Sequence, residues 1–127
     1  MGRPSETETH IQEALRISPR DSGAFRWLHF IGVAKTHLNA YAETVVWEHR
    51  SLELNRNYAL GHLFLAAALA RLGQLDEARA EARAGLALDP NLTIRRMRSL
   101  TLSDNPIFLA ARERNLEGMR LAGVPEG

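Results

Sequence analysis

The chain has no cysteine. That excludes a disulfide framework and thiolate metal sites, and it fits a reducing compartment. There are only 5 prolines and 9 glycines in 127 residues, which argues against a disordered or low-complexity chain. An excess of one charge sign is also missing: 16 Lys and Arg stand against 15 Asp and Glu, for a formal net charge of +1. No global attraction to nucleic acid or to an anionic membrane follows, so any charge effect is local. The longest wholly apolar run, LFLAAALA at 63–70, is well short of the roughly 18–20 residues that a membrane-spanning helix needs. The polar start MGRPSETETH lacks the apolar centre of a signal peptide. The expectation is a soluble, cytoplasmic chain with no membrane partner.

What the chain does have is helix-forming sequence, with 45% hydrophobic residues and little to interrupt it. The stretch ARLGQLDEARAEARAGLALDPN, residues 70–91, is rich in Ala, Leu, Glu and Arg, all good helix formers. Gly73 is costly inside a helix and suited to a left-handed turn just after one, so it marks an end. Asp89-Pro90 stops the next helix, because the residue before a proline is pushed out of the helical region. Leu75, Ala78, Ala82 and Leu86 form an apolar stripe between these stops.

Displacing the sequence by 34 residues aligns Phe30 with Phe64, Ile31 with Leu65, Gly32 with Ala66 and Ala34 with Ala68. Asn39 then meets Gly73, Glu43 meets Glu77, Leu52 meets Leu86 and Asn57 meets Asn91, without a gap. A period of this length belongs to helix-turn-helix units that bury their apolar faces only by stacking. The signature residues Leu65, Ala66, Gly73, Ala78, Leu86 and Pro90, with Ile31, Gly32, Leu52 and Leu54 in the first copy, resemble the tetratricopeptide repeat (TPR) family. The resemblance implies an all-α, right-handed solenoid of stacked antiparallel helix pairs. Copy one departs from the pattern at Thr44 and Glu48, where small or aromatic residues are usual. Their hydroxyl and carboxylate are either satisfied locally or face a missing neighbour.

The expected organisation is a partial repeat helix over 1–21, full repeats over 22–56 and 57–90, and a degenerate repeat with a capping helix over 91–127. Ser5 and Glu8 can form a capping box for the first helix, which ends before Ser18-Pro19. Helices follow near 23–38, 41–54, 58–72, 75–88 and 93–100. A seventh is opened by Asn105-Pro106 and closed near Gly123. Ile107, Phe108, Ala111, Leu116 and Leu121 are expected to form its buried stripe. Two full repeats are fewer than the roughly three an isolated array needs, so this helix is expected to act as a cap.

The sequence blocks from Phe25 to Asn55 and from Leu63 to Ile94, with the tail LEGMRLAGVPEG, are similar to the C-terminal TPR region that follows class III adenylate or guanylate cyclase domains in some bacterial multidomain proteins. That resemblance implies a fragment, because the cyclase fold and its metal-binding aspartates are absent. It also implies an alternative role, as a regulatory segment in cyclic nucleotide signalling.

Chemistry-bearing motifs are few. GxxxxGK[ST], GxSxG and HExxH do not occur, and His10, His29, His37, His49 and His62 lack the paired spacing of a zinc site. No cofactor, metal or catalytic residue is expected. Arg95, Arg96 and Arg98 make a secondary basic patch, but interleaved aromatics are lacking, which makes nucleic acid a poor candidate partner. The TPR resemblance places the working surface on the concave face. Its groove positions are Arg26, His29, Val33, Thr36 and His37 from copy one, and Leu60, Leu63, Ala67, Ala70 and Arg71 from copy two. Val33 and Ala67 stand where the family's carboxylate-clamp members carry asparagine, so that mode is not expected.

The expected function is a non-catalytic scaffold that binds a peptide or helix of a protein partner, or of another domain of its own full-length protein, in this groove. Its apolar floor and its rim at Arg26, His37 and Arg71 suit an amphipathic segment with acidic residues. Occupation of the groove by the chain's own C-terminal helix, or by a second copy in a homodimer, is the competing outcome.

Overall fold

The computed structural model describes residues 23–100 and 105–127. Within them the chain is all-helical, with six helices and no strand: α1 (Ala24–His37), α2 (Tyr41–Leu54), α3 (Ala59–Arg71), α4 (Leu75–Leu88), α5 (Ile94–Ser99) and α6 (Pro106–Leu121). None is long and apolar enough to cross a membrane. The expected helix near Ser5 and Glu8 lies outside the described residues.

The 34-residue offset is visible in the backbone. α2 and α4 begin at residues 41 and 75 and end at 54 and 88. Asn39 and Gly73 both take the left-handed conformation, with φ of 59° and 84°. Each closes its helix in the same way: the N–H groups of Ala40 and Gln74 donate back to the carbonyls of Lys35 and Leu69, at 2.9 Å. At the far ends the side chains of Asn55 and Asp89 accept from the backbone N–H of Asn57 and Asn91, both at 3.1 Å. Equivalent residues therefore stop equivalent helices, and each stop satisfies its own orphan backbone groups.

Neighbouring helices pack as pairs, α1 with α2 and α3 with α4, and α2 joins the pairs by packing on α3. α6 then lies against α3. Leu63 and residues 65–70 are all buried. An apolar helix is what this position demands, since α2, α4 and α6 all pack against it. The chain end completes the cover: Ile94 and Arg95 donate their backbone N–H to the carbonyls of Pro125 and Glu126, 2.9 Å each. This tail serves the start of α5, whose first N–H groups have no partner within their own helix.

α6 differs from its expected stripe. Ala111, Asn115, Leu116, Gly118 and Met119 are its buried residues, while Ile107 is 81% exposed and Phe108 and Leu121 are also exposed. The helix meets α3 at Gly118, where an added Cβ would lie 2.7 Å from the carbonyl oxygen of Ala67. Ile107 lies 11 residues before that crossing, or about 16 Å along the helix, too far to share it. Because the clash at Gly118 is with backbone, Gly118→Ala is expected to lower stability by about 1–3 kcal/mol. A thermal melt followed by circular dichroism checks this, and an unchanged midpoint would show that the crossing is looser than described.

Candidate functional site

The first helices of the two pairs and the two C-terminal helices enclose an open cleft of about 430 Å³. α1 contributes His29, Val33, Thr36 and His37, at helical spacing along one face. α3 adds Leu60 and Phe64 one turn apart. Met97 of α5 and Leu100 just after it line the third side, and Phe108, Arg112, Asn115 and Leu116 of α6 line the fourth. Most of this lining is apolar, and it contains no Asp or Glu among the described residues.

Five of the ten groove residues expected from sequence, His29, Val33, Thr36, His37 and Leu60, share this cleft. Leu63, Ala67 and Ala70 are corrected: all three are core, with Leu63 0% exposed. Leu63 packs at Gly85 of α4, and Ala67 is covered by α6 at Gly118. The chain's own C-terminal helix therefore occupies the α3 surface at Ala67 that was expected to face a partner. Arg26 and Arg71 are exposed and stack over Phe25 and Tyr41 at 5.3 and 5.7 Å rather than lining the cleft. The basic patch is reduced as well. Arg98 makes two hydrogen bonds to Glu113, at 2.8 and 3.1 Å, leaving Arg95 and Arg96 exposed beside the chain end.

Sequence reasoning missed Phe64, Met97, Leu100, Phe108, Arg112, Asn115 and Leu116 as parts of one site. Phe64 follows Leu60 by one turn and was legible on that ground. The others lie beyond the two full repeats, where no offset points to them.

A buried polar pair backs the cleft. His29 Nδ1 sits 2.8 and 2.9 Å from the two carboxylate oxygens of Glu48, which is 0% exposed. The His29 ring also meets Tyr58 and Phe64 edge-on, with centroids 5.0 Å away in each case. Burial pushes the Glu48 carboxyl up to about 7, and its hydrogen bond and charge interaction with His29 oppose that rise. The two departures from the repeat pattern are thus satisfied locally. Glu48 bonds His29, and the Thr44 hydroxyl has Thr36, the Gly32 carbonyl and the Ala40 carbonyl within 3.1–3.3 Å.

Two polar groups remain unspent in the cleft. Among the described residues, no side-chain nitrogen or oxygen sealed from solvent lacks a partner. His29 Nε2 and both amide atoms of Asn115 have none, although these residues are only 3% and 8% exposed. Those atoms therefore keep some contact with solvent, and both residues line the cleft. At its edge the His37 ring meets that of Phe108 at 4.7 Å, tilted by 49°, and burial, reinforced by Arg114, holds its pKa below the ordinary value. Arg112 donates its Nε–H to Glu113 at 3.0 Å, with Nη2 ion-paired to the same oxygen at 2.9 Å, and keeps Nη1 without a partner among the described residues.

No group of three or more potential metal ligands occurs among the described residues. His62 forms a separate polar contact, with Nδ1 2.7 Å from Glu81 and Nε2 2.9 Å from the Arg56 carbonyl. Compared with models of known families and with curated proteins, the chain matches none.

Proposed function

We propose that this chain is a non-catalytic interaction module of the tetratricopeptide type, a right-handed stack of helix pairs whose cleft receives an apolar anchor from an amphipathic segment of a protein partner. The observation that carries the reading is the cleft itself. It is an open, largely apolar hollow of about 430 Å³ on the face formed by α1 and α3, with cationic or titratable groups at its edge and no carboxylate in its described lining. Support for the repeat type comes from the 34-residue recurrence of helix ends and turn residues. A hollow of this size takes side chains rather than a whole helix, since α6 already covers Ala67. Shape would come from Val33, Leu60 and Phe64, and orientation from Arg112 and His37.

The test is a displayed library of short peptides. Selected sequences are expected to share an apolar anchor flanked by Asp or Glu. Leu60→Glu should weaken them at least tenfold, as for loss of a central anchor contact, while Leu54→Glu, on an exposed leucine outside the cleft, should not. Both variants should keep wild-type helical content. Recovery of no peptides, or of peptides indifferent to Leu60→Glu, would place the working surface elsewhere.

A further inference from the structure

The geometry points to a second kind of occupant: we infer that the cleft is a binding site for a small carboxylic acid with an apolar body, held by its carboxylate at Asn115, His29 and Arg112. This goes beyond the peptide reading, since it requires the cleft but no protein partner. Its volume of about 430 Å³ falls within the roughly 300–1,000 Å³ of small-molecule sites, which combine apolar walls with a few convergent polar groups. The walls are Val33, Leu60, Phe64, Met97 and Leu116.

The polar groups decide the head. Asn115 is more than nine-tenths buried, yet its amide has no partner among the described residues and opens into the cleft. Open to the cleft, the amide bonds water, and a ligand carboxylate that accepts from its N–H takes the place of that water in a largely apolar site. His29 presents Nε2 to the same space while Glu48 holds Nδ1. When the pair carries one proton beyond those of a neutral imidazole and a carboxylate, Nε2 bears a hydrogen whether the extra proton sits on the imidazole or on the carboxyl, and it is a donor. The charge balance runs the same way. Arg98 and Arg112 share the single carboxylate of Glu113, and Arg114 bonds the neutral side chain of Asn39 at 3.0 Å. Arg120 brings Glu117 and Glu126 into the same cluster, so Arg98, Arg112, Arg114 and Arg120 face Glu113, Glu117 and Glu126, and one positive charge is in excess beside a hollow with no carboxylate in its described lining. An anionic head is attracted there, a neutral one less so, and a cationic one is repelled.

The experiment is a titration of the full chain with octanoate, octanol and octylamine, followed by the methyl NMR signals of Val33, Leu60, Met97 and Leu116. Octanoate should shift these signals saturably, octanol should bind about tenfold more weakly for want of charge-assisted hydrogen bonds, and octylamine should not saturate. Asn115→Leu should reduce octanoate affinity about tenfold and leave octanol unchanged. Arg112→Gln, on a residue nearer the surface, should weaken octanoate severalfold and flatten its salt dependence, and it carries the charge test even if Asn115→Leu does not fold. Equal binding of octanoate and octanol, shifts centred on the exposed Leu54 and Leu88, or no saturable binding would overturn the inference. Octanoate binding without peptide selection would sink the peptide reading alone, and peptide selection without octanoate binding would sink this one alone.

Discussion

A chain ending before residue 105 will lose its cooperative thermal transition or aggregate. α6 and the tail after it supply Leu116, Met119, Ala122 and Val124 to the same buried cluster as Ala67 and Ala70 of α3 and Ile94 and Met97 of α5. Burying a side chain such as Leu, Met or Val contributes about 1.5–3 kcal/mol. Removal of the three large ones alone therefore costs about 5–9 kcal/mol, comparable with the roughly 5–15 kcal/mol that stabilises a whole domain. The tail's hydrogen bonds to the N–H groups of Ile94 and Arg95 would go as well. Circular dichroism melting with size-exclusion chromatography tests this. A soluble monomer with an unchanged melting curve would show that α6 is dispensable cover.

The second large effect is expected at Glu48. Glu48→Ala leaves His29 Nδ1 buried without its hydrogen-bond partner and opens a cavity where the Glu48 side chain packed, which together cost about 3–5 kcal/mol. For a domain near this size that is a fall on the order of 10–20 °C in melting temperature. The positions 34 residues on from His29, Gly32 and Glu48 are Leu63, Ala66 and Ala82, all buried. An added Cβ at Gly32 would sit 3.0–3.2 Å from the Glu48 side chain. Gly32 thus leaves room for Glu48, whereas Ala66 has no such carboxylate to accommodate at Ala82. The triple variant His29→Leu/Gly32→Ala/Glu48→Ala is accordingly expected to regain most of the lost stability, since replacing both partners of a buried hydrogen bond by apolar groups can be nearly neutral.

The same variants carry a pH signature. The folded-state pKa of Glu48 is raised from 4.5 to about 7, so between those values the folded chain binds more protons than the unfolded one. Stability from this group is fully present below about pH 4.5 and is lost as pH rises through about 7. At about 1.4 kcal/mol per unit, the change is on the order of 3 kcal/mol. Wild-type melting temperature should fall from pH 5 to pH 8, and the triple variant should lack that component. A wild-type profile that rises over this range would mean that the pair is held ionised throughout.

Much of the secondary structure was legible along the chain, because local chemistry sets helix ends. Asn39 and Gly73 tolerate the left-handed turn, Asp89-Pro90 cannot continue a helix, and the Asn105 side chain accepts from the N–H groups of Ile107 and Phe108 just ahead of α6. Expected helices near 23–38, 58–72 and 93–100 differ from the observed ones by a single residue at each end. Ala78 and Ala82 of the α4 stripe are buried as expected, since which face of an amphipathic helix turns inward depends on residues three and four apart. The cleft was only half legible. The α1 positions and Leu60 follow from repeat spacing, whereas Asn115 and Arg112 carry no repeat signal.

By itself the sequence determined that the described chain is helical, where its helices stop, and that two hairpins recur at 34 residues, because propensity, turn conformation and apolar spacing act over a few neighbouring positions. Only the tertiary structure decided that Glu48 is paired with His29, that Leu63 and Ala67 are core rather than groove, and that α6 rests on α3 through Gly118 while leaving Ile107 in solvent. Those outcomes depend on approach between residues 19 to 51 positions apart, where fit and hydrogen-bond satisfaction rather than local preference select the arrangement.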